Sequence, residues 1–379
     1  MTDGVEEARL DDPAAIEAAD PQQMLRAVAT SGAQVRSSLT AARDAGLDAL
    51  ADDVRPRAVV VAGMGGSGIA GDVLAALTLA AAPTPVVVHR SPRLPGWVGA
   101  ADLVLAVSCS GRTQETLAAT DDALRRGARL LGVGSAGSAL ADRCLAARAP
   151  FVPVVPQLAP RASMWALATP VLVAASRLGL LDLGPNDDHL EAAATRLESV
   201  AEACRPDRDT FVNPAKTLAL ELADTVPMVW GAGPSGAVAA YRFGCQLNEN
   251  AKLPAVTGAL PEAHHNQVVS LDGSLAGAAA TDDLFRDRVD DATPLRLRLV
   301  LLHDDDGADD VRARVEVSAE TAERRGVPVT TVRSEGESPV ERLASLVGLL
   351  DYASVYLAIG QGVDPTPVRP IDDLKARLA

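Results

Sequence analysis

From Ala58 onward, short apolar runs rich in β-branched residues alternate with helical stretches, and that alternation leaves few folds open. V-V-V stands at 59–61, V-V-V at 86–88, L-V-L-A-V at 103–107, L-L-G-V at 130–133 and F-V-P-V-V at 151–155. Helices are expected from about Ile69 and from about Thr113. Runs that are apolar at every position, rather than at every second one, are buried on both faces, and strands joined through helices run parallel. The expected architecture is α/β, a parallel, doubly wound sheet covered by helices.

The pattern then repeats. A helical region from Ala162 to about Cys204, interrupted by the turn Gly184-Pro185-Asn186-Asp187, leads to a second α/β unit that begins near Asn213. There P-M-V-W at 227–230 runs into G-A-G-P-S-G, as V-V-V-A runs into G-M-G-G-S-G at 63–68. The shared G-x-G-x-S-G follows an apolar strand and precedes a helix both times, which reads as an internal duplication. The expected organisation is a helical acidic leader over 1–55, a first sheet domain over 56–160, a helical connector over 161–212 and a second sheet domain with C-terminal helices over 213–379. Within the leader, Asp20 is the expected N-cap of a helix with Pro21 at its first position.

Charge narrows the partners. Fifty acidic against 35 basic residues give a net charge of −15, so the surface repels phosphate backbones and anionic lipid, which argues against nucleic acid and membranes as partners. The longest apolar stretch, 162–175, is too short to span a bilayer and carries Pro170, and the acidic start M-T-D-G-V-E-E lacks a signal-peptide layout. Four scattered cysteines without a C-x-x-C pair fit reduced thiols, with Cys109 a small core residue, so the expected location is the cytoplasm. Three of the 35 basic residues are lysine, Lys216, Lys252 and Lys375. Where lysine persists against so strong an arginine bias, two readings stand side by side: a position that requires a compact ammonium, or chance survival.

An anion must therefore be held by local dipoles. Gly63, Gly65, Gly66 and Gly68 allow a tight turn, and Ser67 adds a hydroxyl where the next helix presents unpaired amides. The same loop matches the dinucleotide fingerprint G-x-G-x-x-G, but after the next strand come His89, Arg90 and Ser91 rather than the carboxylate that grips the ribose of NAD. Arg90 leaves NADP open. The third strand ends in S-C-S-G-R-T-Q-E-T at 108–116, where Ser108, Ser110 and Thr113 ring a turn that suits a phosphate. Such residues also make ordinary turns and caps, but two such loops on nearby strands of one sheet favour a phosphate site. The matching strand of the second unit, 295–302, ends in His303-Asp304-Asp305-Asp306, whose carboxylates would repel phosphate, so only the first unit is expected to hold one.

Taken together, G-M-G-G-S-G-I-A-G-D at 63–72, S-C-S-G-R-T-Q-E-T at 108–116, N-E-N-A-K at 248–252, H-N at 265–266 and I-D-D-L-K at 371–375 resemble the bifunctional phosphoglucose/phosphomannose isomerase family over roughly residues 58–379. Arg112 departs from the asparagine usual there. The resemblance implies two tandem sugar-isomerase (SIS) domains, each a flavodoxin-like sheet, and a metal-independent, cofactor-free aldose–ketose isomerase. Its substrates would be glucose 6-phosphate and mannose 6-phosphate, interconverted with fructose 6-phosphate through an enediol. Phosphate would be bound by Gly66, Ser67, Ser108, Ser110 and Thr113.

The chemistry needs a base near C1 and C2 and a second acid/base to open the ring. Glu249, flanked by Asn248 and Asn250 at a helix end, is implied as the proton carrier. His265 is implied as the ring opener, reaching the site of the neighbouring chain in a homodimer with shared active sites. Arg161 and Lys375 are implied as electrophiles for the enediolate, while Lys252 supports the Glu249 segment and His264 packs or caps. A metal site from Glu262, His264 and His265 lacks the spacing of a helix or hairpin site. Two other readings stay open at this stage: a non-catalytic sugar-phosphate sensor, and an NADP-dependent oxidoreductase.

Overall fold

A computed structural model describes residues 7–276, 295–304 and 308–378. The five apolar runs become strands β1 (Val59–Ala62), β2 (Val86–His89), β3 (Leu103–Ser108), β4 (Arg129–Gly134) and β5 (Phe151–Pro153). They form one parallel sheet in the order β2-β1-β3-β4-β5, with Val59 opposite both Val86 and Leu103, and Leu103 opposite Arg129. Every residue of β1 and β3 is buried, as continuous apolar strands require. Val60, Val104 and Leu130 pack with Leu117 and Leu140 from the helices Gln114–Arg125 and Ala139–Ala147. Val61 instead meets the helix Gly66–Thr78, close against Gly71. Both faces are thus covered, and each fully buried valine or leucine contributes on the order of 1.5–3 kcal/mol.

Four further strands, β6 (Thr225–Ala232), β7 (Val256–Ala259), β8 (Arg296–His303) and β9 (Val329–Arg333), make a second parallel sheet in the order β7-β6-β8-β9. Counted from its first strand, this is the order 2-1-3-4 of the first sheet, and the repeated glycine loop follows the equivalent strand in each. Met228, Trp230, Leu299 and Leu301 form its core against Val315 and Ala322 of the helix Asp309–Glu323.

The chain divides into two compact units. One comprises 26–199 and 336–344 and contains the first sheet; the other comprises 1–25, 200–335 and 345–379 and contains the second.

Two expectations change. Asp20 accepts from the amides of Met24 (2.7 Å) and Leu25 (2.9 Å), so it caps a helix that starts at Met24, and Pro21 lies in the turn before it. The Asp-Pro pair that does open a helix is Asp12-Pro13, with Asp12 accepting from Ala14 at 2.9 Å. Both pairs fit the capping pattern, but the second falls directly after the helix Pro13–Ala19, where the chain must first turn. The chain also holds a segment longer than 162–175 that is apolar enough to cross a membrane, the helix Pro339–Gly360. Its central window is 94% buried inside the protein, which makes it a core helix.

Candidate active site

In a sheet of order 2-1-3-4-5 the chain leaves β1 toward one edge and β3 toward the other, which opens a crevice at their carboxyl ends. The two serine-bearing loops line that crevice. After β1, Gly65 takes φ 52° and ψ −129°, a conformation open to glycine and costly for other residues. The helix then begins at Gly66, three residues before the expected start near Ile69. Ser67 is buried, and its Oγ accepts from the amide of Cys109 at 3.1 Å, tying the first loop to the second.

After β3, Ser108 Oγ donates to Thr113 Oγ1 at 3.0 Å, and Ser110 Oγ accepts from the amide of Arg112 at 3.2 Å. Gly111 has φ 62°, and a Cβ there would lie 2.0 Å from Ser138 Oγ. Neither the helix Gly66–Thr78 nor the helix Gln114–Arg125 has a side-chain cap at its start. First-turn amides of two helices, with the hydroxyls of Ser67 and Thr113 beside them, make a cradle for a dianion.

Arg161 joins the same unit. It lies in the turn Pro160–Ser163 after β5, is 6% exposed, and its Cα is 3.6 Å from where a Cβ on Gly66 would sit. Gln34 holds this turn: its amide donates to Ala162 O at 2.8 Å, and its carbonyl accepts from the amide of Ala166 at 3.2 Å. Sequence reasoning missed Gln34, because a glutamine in an amphipathic helix carries no sign of a partner 128 residues away. Cys109 is buried, and burial pushes its thiol up, in keeping with a core role. Arg90 is ion-paired with Asp72.

In the other unit, the helix Gly233–Gln246 continues into a π turn, Leu247–Ala251, and Glu249 projects from it, half-buried. Such turns widen a helix locally and often accompany function. The turn is anchored on the helix Pro339–Gly360. Arg242 donates twice to Asp351 (3.0 and 2.6 Å), Gln246 donates to the same carboxylate (3.2 Å), and Asn250 donates to Ser354 Oγ (2.8 Å). Burial pushes the Asp351 carboxyl up, and Arg242 and Gln246 oppose that rise. Lys252, at φ 57°, ends the turn, and its ammonium donates to the carbonyls of Glu249 (2.5 Å), Pro367 (2.8 Å) and Pro365 (3.3 Å). It supports the Glu249 segment, as expected. A cavity beside the turn is lined by Asn248, Glu249, Lys252, Asp364 and Arg369, among others.

Lys375 is exposed on the terminal helix Arg369–Leu378 and does not line that cavity. His265 is exposed at the end of the turn Glu262–His265. His264 stands edge-on to Trp230 and shares a 2.7 Å hydrogen bond with Ser318 Oγ; burial pulls its imidazole down, so it packs. Asn266 donates to Glu262 at 2.9 Å, and no cluster of three metal-ligating side chains occurs among the described residues. At the second glycine loop, buried Asp304 packs against Gly233, so a carboxylate stands where an anion would enter. Asp305 and Asp306 lie outside the described residues. Ser67, Ser108, Ser110, Thr113 and Arg161 therefore belong to one unit, and Glu249, His265 and Lys375 to the other.

Residues 211–378 match the family described as the bacterial phospho-glucose isomerase C-terminal SIS domain. A bifunctional phosphoglucose/phosphomannose isomerase of Caldicellulosiruptor bescii is 31% identical over 348 residues, covering 91% of this chain and 96% of that protein. That match is wider than 58–379 and so takes in part of the N-terminal helices. The enzyme of the same name from Aquifex aeolicus is 31% identical, covering 87% and 93%. Among solved structures, the C-terminal domain of glucosamine-fructose-6-phosphate aminotransferase from Francisella tularensis superposes with a TM-score of 0.65 at 13% identity, covering 92% of this chain and 99% of that one. It shares the fold.

Proposed function

The chain belongs to the bifunctional phosphoglucose/phosphomannose isomerase family, and on that premise we propose how its residues divide the work. It is an aldose–ketose isomerase acting on a hexose 6-phosphate, interconverting glucose 6-phosphate or mannose 6-phosphate with fructose 6-phosphate. The observation that carries the reading is the Ser67–Cys109 tie across the β1/β3 crevice, which links two uncapped helix starts and supports reading them as one dianion cradle.

In this reading the phosphate rests on Gly66, Ser67, Ser108, Ser110 and Thr113, with Thr113 free to donate its own proton because it accepts from Ser108. His265, supplied by the second copy of a homodimer, opens the sugar ring as acid and base. Glu249 takes the proton from C1 of the ketose and returns it to C2, while Arg161 and Lys375 steady the charge that develops on the oxygens. One proton changes carbon and no electron leaves the substrate, so the chemistry calls for no redox cofactor, and no metal is invoked. The four free cysteines support a reducing compartment, the cytoplasm.

Incubating the purified protein with each hexose 6-phosphate, with and without EDTA, tests this. Interconversion of all three sugars unaffected by EDTA is expected; turnover lost with EDTA and restored by zinc would overturn the metal-free mechanism.

A further inference from the structure

The cavity beside the π turn carries a cation that the resemblance did not point to. Glu249, Lys252, Asp364 and Arg369 all line it, and all belong to one compact unit. Lys252 directs its ammonium at backbone carbonyls, and Asp364 accepts from the amide of Thr366 at 2.9 Å. Arg369 differs. It is exposed, and its guanidinium has no hydrogen bond or ion pair among the described residues.

Its position is also unfavourable for stability. Arg369 is the first residue of the helix Arg369–Leu378, where the partial positive charge of unpaired amides repels a cation. Lys375 and Arg377 occupy the last turn of the same helix, where the dipole favours them. An arginine kept at the wrong end of a helix, unpaired, on the wall that also holds a carboxylate base, is explained by something it does for the ligand.

We infer that Arg369 is a further catalytic residue, whose guanidinium donates to O2 of the sugar as the enediolate forms beside Glu249. The inference rests on Glu249 being the proton carrier. When Glu249 removes the proton from C1, the C–H electron pair becomes the C1–C2 double bond, and the carbonyl pair of C2 moves onto O2. Arg369 meets that new charge with hydrogen bonds and forms no covalent bond. The proton on O1 then passes to O2, C1 becomes the carbonyl, and Glu249 returns its proton to C2, so all atoms and electrons are accounted for.

The test compares Arg369→Met, Arg369→Lys and Glu249→Gln with the unaltered protein, using fructose 6-phosphate as substrate. Two inhibitors serve as probes: inorganic phosphate, and the five-carbon aldonic acid 5-phosphate whose planar carboxylate imitates the enediolate. For Arg369→Met we expect kcat and affinity for the aldonate to fall by about ten- to a hundredfold, with inhibition by phosphate unchanged. Arg369→Lys should restore part of each effect.

If Glu249→Gln is inactive while Arg369→Met keeps its kcat and its aldonate affinity, the inference about Arg369 alone is wrong. Equal weakening of phosphate and aldonate would make Arg369 a phosphate anchor, which also overturns it. Near-normal turnover by Glu249→Gln would instead remove the reading on which the inference stands. Thermal melting checks each fold, and if Arg369→Met does not fold, Arg369→Lys carries the same comparison.

Discussion

Each serine of the cradle has a definable share of binding. Ser108 is wholly buried and orients Thr113, so Ser108→Ala should raise KM for fructose 6-phosphate by the equivalent of roughly 1–3 kcal/mol and leave kcat within a few-fold. Steady-state kinetics decides it; an unchanged KM would place phosphate elsewhere. The loops that carry these serines were legible in the sequence because the glycine and serine spacing acts locally, shaping the turn before each helix. Gln34 and Arg369 were not, since what each faces is settled by distant chain. Lys216 lies between. The arginine bias left it either a required ammonium or a chance survivor, and the structure finds it wholly buried, donating to Pro206 O (2.9 Å) and Arg208 O (2.6 Å), with Asp11 at 3.4 Å. Burial pulls that ammonium down and Asp11 opposes the fall. Its role is structural, which a lysine count could not distinguish from a catalytic one.

Among the elements, continuous apolar strands were readable, β2 and β5 at the edges of the first sheet among them, and the two edge strands of the second sheet were not. β7 reads V-T-G-A and is half exposed, and β9 reads V-T-T-V-R at the other edge of its sheet; neither has the run of buried positions that marks β3. The helices of the first unit are held by a buried carboxylate that also lacked a sequence signal. Asp187, 2% exposed, accepts from Arg177 (2.6 and 2.7 Å) and from Arg43 (3.0 Å), and Arg177, then Arg43, holds its carboxyl below the ordinary aspartate range. A depressed folded-state value adds stability that is complete above the unfolded value of about 3.9 and is lost as pH falls through the folded one. Asp187→Asn should therefore cost roughly 2–4 kcal/mol at pH 7, and the gap from the unaltered protein should narrow in acid below pH 4. Urea unfolding at both pH values measures it, and a gap that stayed constant would show that ionisation of Asp187 is not the cause.

For the molecule as a whole, the repeated glycine loop pointed to two related sheets, and the four strands of the second follow the order 2-1-3-4 of the first. A difference between the two glycine loops was readable from His303-Asp304, since a buried carboxylate packs at the second loop. The proposed dimer rests on resemblance alone. With His265 serving the partner's site, and at fructose 6-phosphate well below the raised KM, where the Ser108→Ala/Ser110→Ala protein is silent, mixing it with inactive His265→Ala protein should restore about a quarter of the unaltered rate, because half of the dimers regain one intact site. Mixtures that exchange subunits yet stay inactive would return His265 to its own chain. The central claim, that Glu249 carries a proton between C1 and C2 in an enediol isomerase, is tested most directly by following fructose 6-phosphate in D2O by NMR with the unaltered protein and with Glu249→Gln. The unaltered protein should yield aldose 6-phosphate that carries deuterium at C2 in the fraction of turnovers in which the proton on Glu249 exchanges with D2O before its return, and transferred protium in the rest, and Glu249→Gln should slow both isomerisation and exchange by about 10²- to 10⁴-fold. Aldose formed by Glu249→Gln at the unaltered rate would contradict the account.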